Sequence, residues 1–265
     1  MLLTINHTTR YDYDAPVDYA LQQLRLTPPT LAQQDVRRWE LTVEGGKIET
    51  QYRDHNGAQV HLVSVEPGTQ QVSITAAGEV ETVDTAGVLG KIYGPGPLWF
   101  YRKSTPSTQA GEGIRALAAP LADAPDMLSA LHALSASILI AAPYKIGETY
   151  AETTAEAALM GGSGVCQDHA QMFVAAARVA GLPARYVSGY LMMDDRVDQD
   201  ASHAWAEAHL DDLGWVGFDV SNGISPDARY VRLAHGLDYR QAAPISGLRQ
   251  GSSDETMIVS LQIQQ

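Results

Sequence analysis

Only one cysteine, Cys166, occurs in 265 residues, so no internal disulfide can form. A lone thiol of this kind fits a reducing, cytoplasmic setting. No stretch approaches the roughly 20 apolar residues that span a bilayer. The opening Met1-Leu2-Leu3-Thr4-Ile5-Asn6-His7 lacks the basic start and long apolar run of a signal peptide. Basic residues are scarce, with 18 Lys and Arg against 31 Asp and Glu and a formal charge of −13. That balance excludes the basic face a nucleic-acid binder needs and otherwise serves solubility. Heptad runs, basic patches and internal repeats are also missing. The reading is of a cytoplasmic protein with neither a membrane nor a nucleic-acid partner. Nothing in the sequence fixes an oligomeric state.

The 45% of residues that are apolar suffice for one large core or two smaller ones. Residues 1–105 read as β-structure. Leu3 to Tyr13 is rich in strand formers, and Trp39 to Glu44, Val60 to Val65 and Gln71 to Ala76 alternate. Gly45-Gly46, Asp54-His55-Asn56-Gly57 and Pro67-Gly68 punctuate them. Short strands at even spacing predict an N-terminal β-sandwich-like domain. Glycines and prolines over 90–108 read as a linker or crossing loop. Helical spacing then runs from Ala110 to Ile140, and Thr153 or Thr154 can cap a short helix with Glu156 in its first turn. A Gly-rich turn, Gly161-Gly162-Ser163-Gly164, leads into a helix that Gly181 and Pro183 end. Strands follow at Ala184 to Met192, Ala201 to Leu210 and Trp215 to Asp219. The fold class is therefore α+β, with a second domain over 106–265. The sheet joined by its last strand, 256–264, is left open.

Cys166 falls in the first turn of the helix after that Gly-rich turn. Unpaired N–H groups and the positive end of the helix dipole favour a thiolate there. A cysteine nucleophile wants a base, and the base wants an orienter. Among eight histidines, His203 opens one strand and Asp219 closes the next. In an antiparallel hairpin the start of one strand lies beside the end of its successor. The two side chains should meet, and the Cys166 helix packed on that edge completes a Cys–His–Asp set.

Four ordered segments carry a resemblance. They are Gly164-Val165-Cys166-Gln167-Asp168, Gly181-Leu182-Pro183-Ala184-Arg185-Tyr186-Val187-Ser188-Gly189-Tyr190, Ser202-His203-Ala204-Trp205 and Gly214-Trp215-Val216-Gly217-Phe218-Asp219. Together they resemble the core of the bacterial transglutaminase-like superfamily, which includes proposed cysteine proteases with a papain-like core. The β-rich first third resembles the N-terminal region that precedes this core in many members. The resemblance implies helices packed on an antiparallel sheet after the sandwich. It also implies Cys166 as nucleophile, His203 as base and then acid, and Asp219 as orienter. The Cys166 N–H would serve the oxyanion, with Tyr144 or Gln167 as candidates for a second donor. The chain departs from the family pattern at His169, Gln171 and Val220-Ser221-Asn222, which bear on the pocket and not on the triad.

Other readings compete residue by residue. Asp168 suits bonding backbone N–H groups at the helix start better than acid catalysis. His169 reads as a helix-surface or pocket-wall residue. Trp205 and Trp215 suit sheet packing, although Trp205, like Asn222, is a candidate for the substrate cleft. Asp194, Asp195, Asp198 and Asp200 lack the loop pattern of a calcium hand. Cys166, His203, Asp219 and His169 lack paired metal-ligand spacing, so no zinc and no other cofactor is expected. The expected function is acyl transfer at an amide through a thioester on Cys166, with a peptide or protein substrate. Water as acceptor gives a peptidase or amidase, which is the default. An amine gives a protein-glutamine transferase, and a non-catalytic binding module keeping the fold is the rival from another class.

Overall fold

Period-two burial builds most of the molecule. Every second residue of β1 (Leu2–Tyr13) is buried, from Leu3 and Ile5 through His7 and Thr9 to Tyr11 and Tyr13. The computed structural model describes residues 1–91, 94–250 and 254–265. After β1 come β2 (Tyr19–Leu24), β3 (Gln34–Glu44), β4 (Gly46–Arg53), β5 (Gln59–Val65), β6 (Gln71–Thr82) and β7 (Val88–Gly90). Helices α1 (Glu112–Ala118), α2 (Met127–Ala141), α3 (Ala155–Gly161) and α4 (Cys166–Val179) follow. The chain closes with β8 (Ala184–Leu191), β9 (Asp198–Gln199), β10 (His203–Leu210), β11 (Gly214–Phe218), β12 (Tyr230–Gly236), α5 (Tyr239–Ala242), β13 (Ile245–Gln250) and β14 (Glu255–Gln264).

Among the described residues the strands form three antiparallel sheets, ordered β3-β6-β1-β14-β9, β13-β2-β5-β4 and β12-β8-β10-β11-β7. The first two face each other as the expected sandwich. Leu3, Ile5, Val72 and Ile74 of one meet Leu24, Val63 and Val65 of the other in one core. The third sheet carries the helices. Ala204, Ala206 and Ala208 of β10 give α4 a smooth bed, on which Phe173 and Ala176 pack in a single core with Phe218. Small side chains let the helix close on the sheet, and Phe173 stacks on Phe218 with ring centroids 4.8 Å apart.

The two halves are interleaved. The last strand, β14, lies beside β1 in the first sheet, with Tyr11 opposite Met257 and Thr9 opposite Val259. β13 pairs with β2. Tyr190, Val231 and Leu233 of the third sheet enter the sandwich core. The stretch read as a linker begins as structure, because β7 is an edge strand on β11. Residues 92 and 93 of that stretch, and 251–253, lie outside the described residues. No helix among the described residues is long and apolar enough to cross a membrane.

Candidate active site

The turn before α4 is held by one carboxylate. Gly162, at φ +70°, caps α3 in the left-handed region that glycine tolerates. Asp168 then accepts the Val165 N–H at 2.9 Å and the Thr149 hydroxyl at 2.6 Å. A Cβ on Gly164 would lie 2.8 Å from the Asp168 Cβ, so that position needs its glycine. Cys166 is thereby presented as the first residue of α4, half-buried, among N–H groups with no intrahelical acceptor.

His203 is the first residue of β10, and Asp219 follows β11 directly. Their meeting is a consequence of register, since Ala206 pairs with Phe218. His203 Nε2 donates to Asp219 Oδ2 at 2.6 Å, and the His203 ring shares the cavity in front of α4 with the Cys166 side chain. With Nε2 engaged, Nδ1 is the nitrogen left for the sulfur. The Trp205 indole lies nearly parallel to the imidazole at 6.4 Å between centroids. It occupies the space over Gly189, where a Cβ would come within 2.6 Å of the indole.

The carboxylate of Asp219 is fully buried and fully occupied. Oδ2 also accepts the Tyr230 hydroxyl at 2.7 Å and Asn222 Nδ2 at 2.7 Å, while Oδ1 accepts the Asn222 N–H at 3.2 Å. Burial alone would raise its pKa, but the donors, His203 first, hold it below the ordinary carboxylate value. Burial likewise works to lower the His203 pKa. Its hydrogen bond to Asp219, the neighbouring Cys166 and the charges of both raise it instead. The arrangement therefore favours an imidazolium held between a carboxylate and a sulfur.

The remaining candidate residues separate. Gln167 lines the 270 Å³ cavity that Cys166 and His203 open into, and its Nε2 donates to the Ala151 carbonyl at 3.2 Å. Tyr144 bridges to Gly164 through the backbone and is half exposed. Its phenol pKa is pushed up by partial burial and then by the Cys166 charge. Trp205 and Asn222, expected along the cleft, do not line that cavity. Trp205 is buried behind His203, and Asn222 is spent on Asp219. His169 is buried too, not on the helix surface. Its ring nitrogens bond the Ser221 hydroxyl at 2.8 Å and the Ala142 carbonyl at 2.7 Å. Tyr230 was not legible, because a tyrosine in a strand usually reads as packing and its target is set by tertiary pairing.

Two family models match. Residues 3–81 fit the bacterial transglutaminase-like N-terminal region and residues 115–220 fit the transglutaminase-like superfamily. The chain thus carries a transglutaminase-like core behind a bacterial transglutaminase-like N-terminal region. Cys166, His203 and Asp219 all fall within the second matched stretch of this transglutaminase-like chain. An uncharacterized protein of Mycobacterium leprae is 24% identical over 98% of both chains. One of Mycobacterium tuberculosis is 28% identical over 96% of this chain and 89% of its own. The protein-glutamine gamma-glutamyltransferase of Pseudomonas aeruginosa is 32% identical over 98 residues, covering 33% of this chain and 15% of its own. In fold, the chain is similar to the crystal structure of a proposed cysteine protease from Cytophaga hutchinsonii. The TM-score is 0.78 at 19% identity, over 100% of this chain and 98% of that one.

Proposed function

We propose that the protein is a cysteine-dependent acyl-transfer enzyme acting on amide bonds of peptides or proteins, by default a peptidase or amidase. The observation that supports this best is the convergence of Cys166, His203 and Asp219, with His203 bonded to Asp219 and lining one cavity with Cys166. The Cys166 thiolate attacks the amide carbonyl carbon and forms a C–S bond. The N–H groups at the start of α4, that of Cys166 first, are positioned to donate to the developing oxyanion. The His203 imidazolium gives its proton to the departing nitrogen, the C–N bond breaks, and a thioester remains. His203 then takes a proton from the acceptor. The acceptor oxygen or nitrogen attacks the thioester carbon, the C–S bond breaks, and the sulfur leaves as the thiolate beside the imidazolium, as at the start. Asp219 keeps the imidazole in the productive tautomer and supports its charge.

A transferase reading has one specific support, the partial similarity to the glutamine transferase of Pseudomonas aeruginosa. Fluorogenic peptide amides, turned over with and without a primary amine such as cadaverine, separate the two. Release of carboxylate in both conditions is hydrolysis, and capture of the acyl group by cadaverine is transfer. Cys166→Ala and His203→Ala should each lower turnover on the order of 10⁴-fold or more with folding retained. Turnover retained in Cys166→Ala contradicts the mechanism.

A further inference from the structure

The cavity in front of Cys166 has two walls of different origin. One comes from the core, through Cys166, Gln167, Tyr186, Ser188 and His203. The other comes from the sandwich, through His7, Thr9 and Tyr11 of β1 with Met257 and Val259 of β14. Residues opposite each other on antiparallel strands share a face. The pairs Ile5–Ile263, His7–Leu261, Thr9–Val259 and Tyr11–Met257 therefore form one continuous face of the first sheet. Its Ile5–Ile263 end is buried in the sandwich core. At its other end Tyr11 stays in that core, while β14 emerges at the cavity through half-buried Val259 and Met257, which is 57% exposed. A core-type apolar face that emerges beside a thiol is a surface awaiting a side chain.

The wall is also uncharged. His7 is tied to the Tyr190 hydroxyl at 2.8 Å and to the Thr9 hydroxyl at 3.1 Å. Burial pushes its pKa down to about 4, so it is neutral at physiological pH. Tyr239, Pro244 and Ile245 continue the lining. Apart from the proposed Cys166–His203 pair, Asp200 is the one acidic or basic side chain among the described residues that line the cavity. At 270 Å³ the space is below the roughly 300–1,000 Å³ that holds a whole drug-sized ligand. It suits one or two side chains of an extended peptide and not a folded surface.

We infer that the sandwich, through β1 and β14, supplies the substrate-recognition wall, which selects an extended peptide acyl group bearing an uncharged aromatic or aliphatic side chain. The inference rests on Cys166 being the nucleophile of the proposed function. Peptidyl chloromethyl ketones with Phe, Leu, Asp or Lys beside the reactive carbon test it directly. Each alkylates Cys166 with loss of chloride, and each rate is divided by the iodoacetamide rate of the same protein.

The Phe and Leu probes should react at least about tenfold faster than the Asp and Lys probes on this normalised scale. Met257→Lys should lower the Phe-to-Asp ratio at least about tenfold, and Val259→Thr should lower it less. Met257 is exposed, so its replacement spares the core. Four probes within about twofold of one another overturn the inference, as does a ratio unmoved by Met257→Lys. In either case rapid iodoacetamide labelling leaves the nucleophile reading standing. Slow, ordinary-thiol labelling by iodoacetamide at pH 6 removes the nucleophile reading itself.

Discussion

Asp219 is the residue on which the site's electrostatics turn. It is buried, yet three side-chain donors converge on its Oδ2. A hydrogen bond to a charged group is worth about 1.5–3 kcal/mol, and an unmet one costs more when dry. Tyr230→Phe removes one donor without changing the ring. We expect a loss of about 1.5–3 kcal/mol in chemical denaturation at pH 7. A second effect follows from linkage. A carboxyl held below its ordinary pKa contributes stability above that value and loses it as pH falls through the folded value. With one donor gone the folded value rises, so acid loss should begin at higher pH in Tyr230→Phe than in the wild type. An unchanged acid limb would mean that the phenol is incidental to Asp219.

At the scale of elements, β8, β10 and β12 share a buried ion triad on the sheet face away from α4. Arg185 Nε donates to Glu207 at 2.6 Å, and Arg232 donates to the other carboxylate oxygen. Arg185 also lies over the Trp215 ring at 3.9 Å. Removing one partner of a buried ion cluster typically costs about 3–5 kcal/mol, because the charge left behind has no water. Glu207→Gln leaves two guanidinium groups facing each other and should lose that much in urea denaturation; a loss under about 1 kcal/mol would contradict the pairing. Nothing in the local sequence pattern announces this triad, and the reason is physical. Local periodicity reports which residues face inward, but not which strands become neighbours. Cys166, His203 and Asp219 were legible because each sits at an element boundary, marked by a glycine turn or a hairpin. The β12 strand, with Tyr230 and Arg232, was not read because no tight turn announces it. The brief β7, Val88–Gly90, ends where the glycines and prolines that read as a linker begin, and three residues are too few to show a period.

At the scale of the whole fold, the first and last strands meet, since β1 and β14 are neighbours within one sheet. That pairing could not be read from a sequence whose first and last strands are separated by the entire core. It also builds the buried His7 into the sandwich. The unfolded chain takes up a proton there near pH 6.5, while the folded chain resists until about 4. Stability should therefore fall as pH drops across that window, by roughly 3 kcal/mol from this residue. His169, His209 and His235, also held down mainly by burial, act in the same direction. His7→Gln should flatten the dependence of unfolding free energy on pH between 6.5 and 4. A curve as steep as the wild type's would show that His7 is already charged in the fold. His203 acts in the opposite sense. Its raised pKa contributes stability below the ordinary histidine value and loses it as pH rises through the folded value.

The central claim, that Cys166 and His203 form a thiolate–imidazolium pair, is tested most directly by the rate of iodoacetamide alkylation against pH in wild type and His203→Ala. One cysteine gives the label one destination. The account predicts fast labelling at pH 6 that disappears in His203→Ala. Labelling that is slow at pH 6, climbs only near pH 8.5 and is the same in both proteins would contradict it.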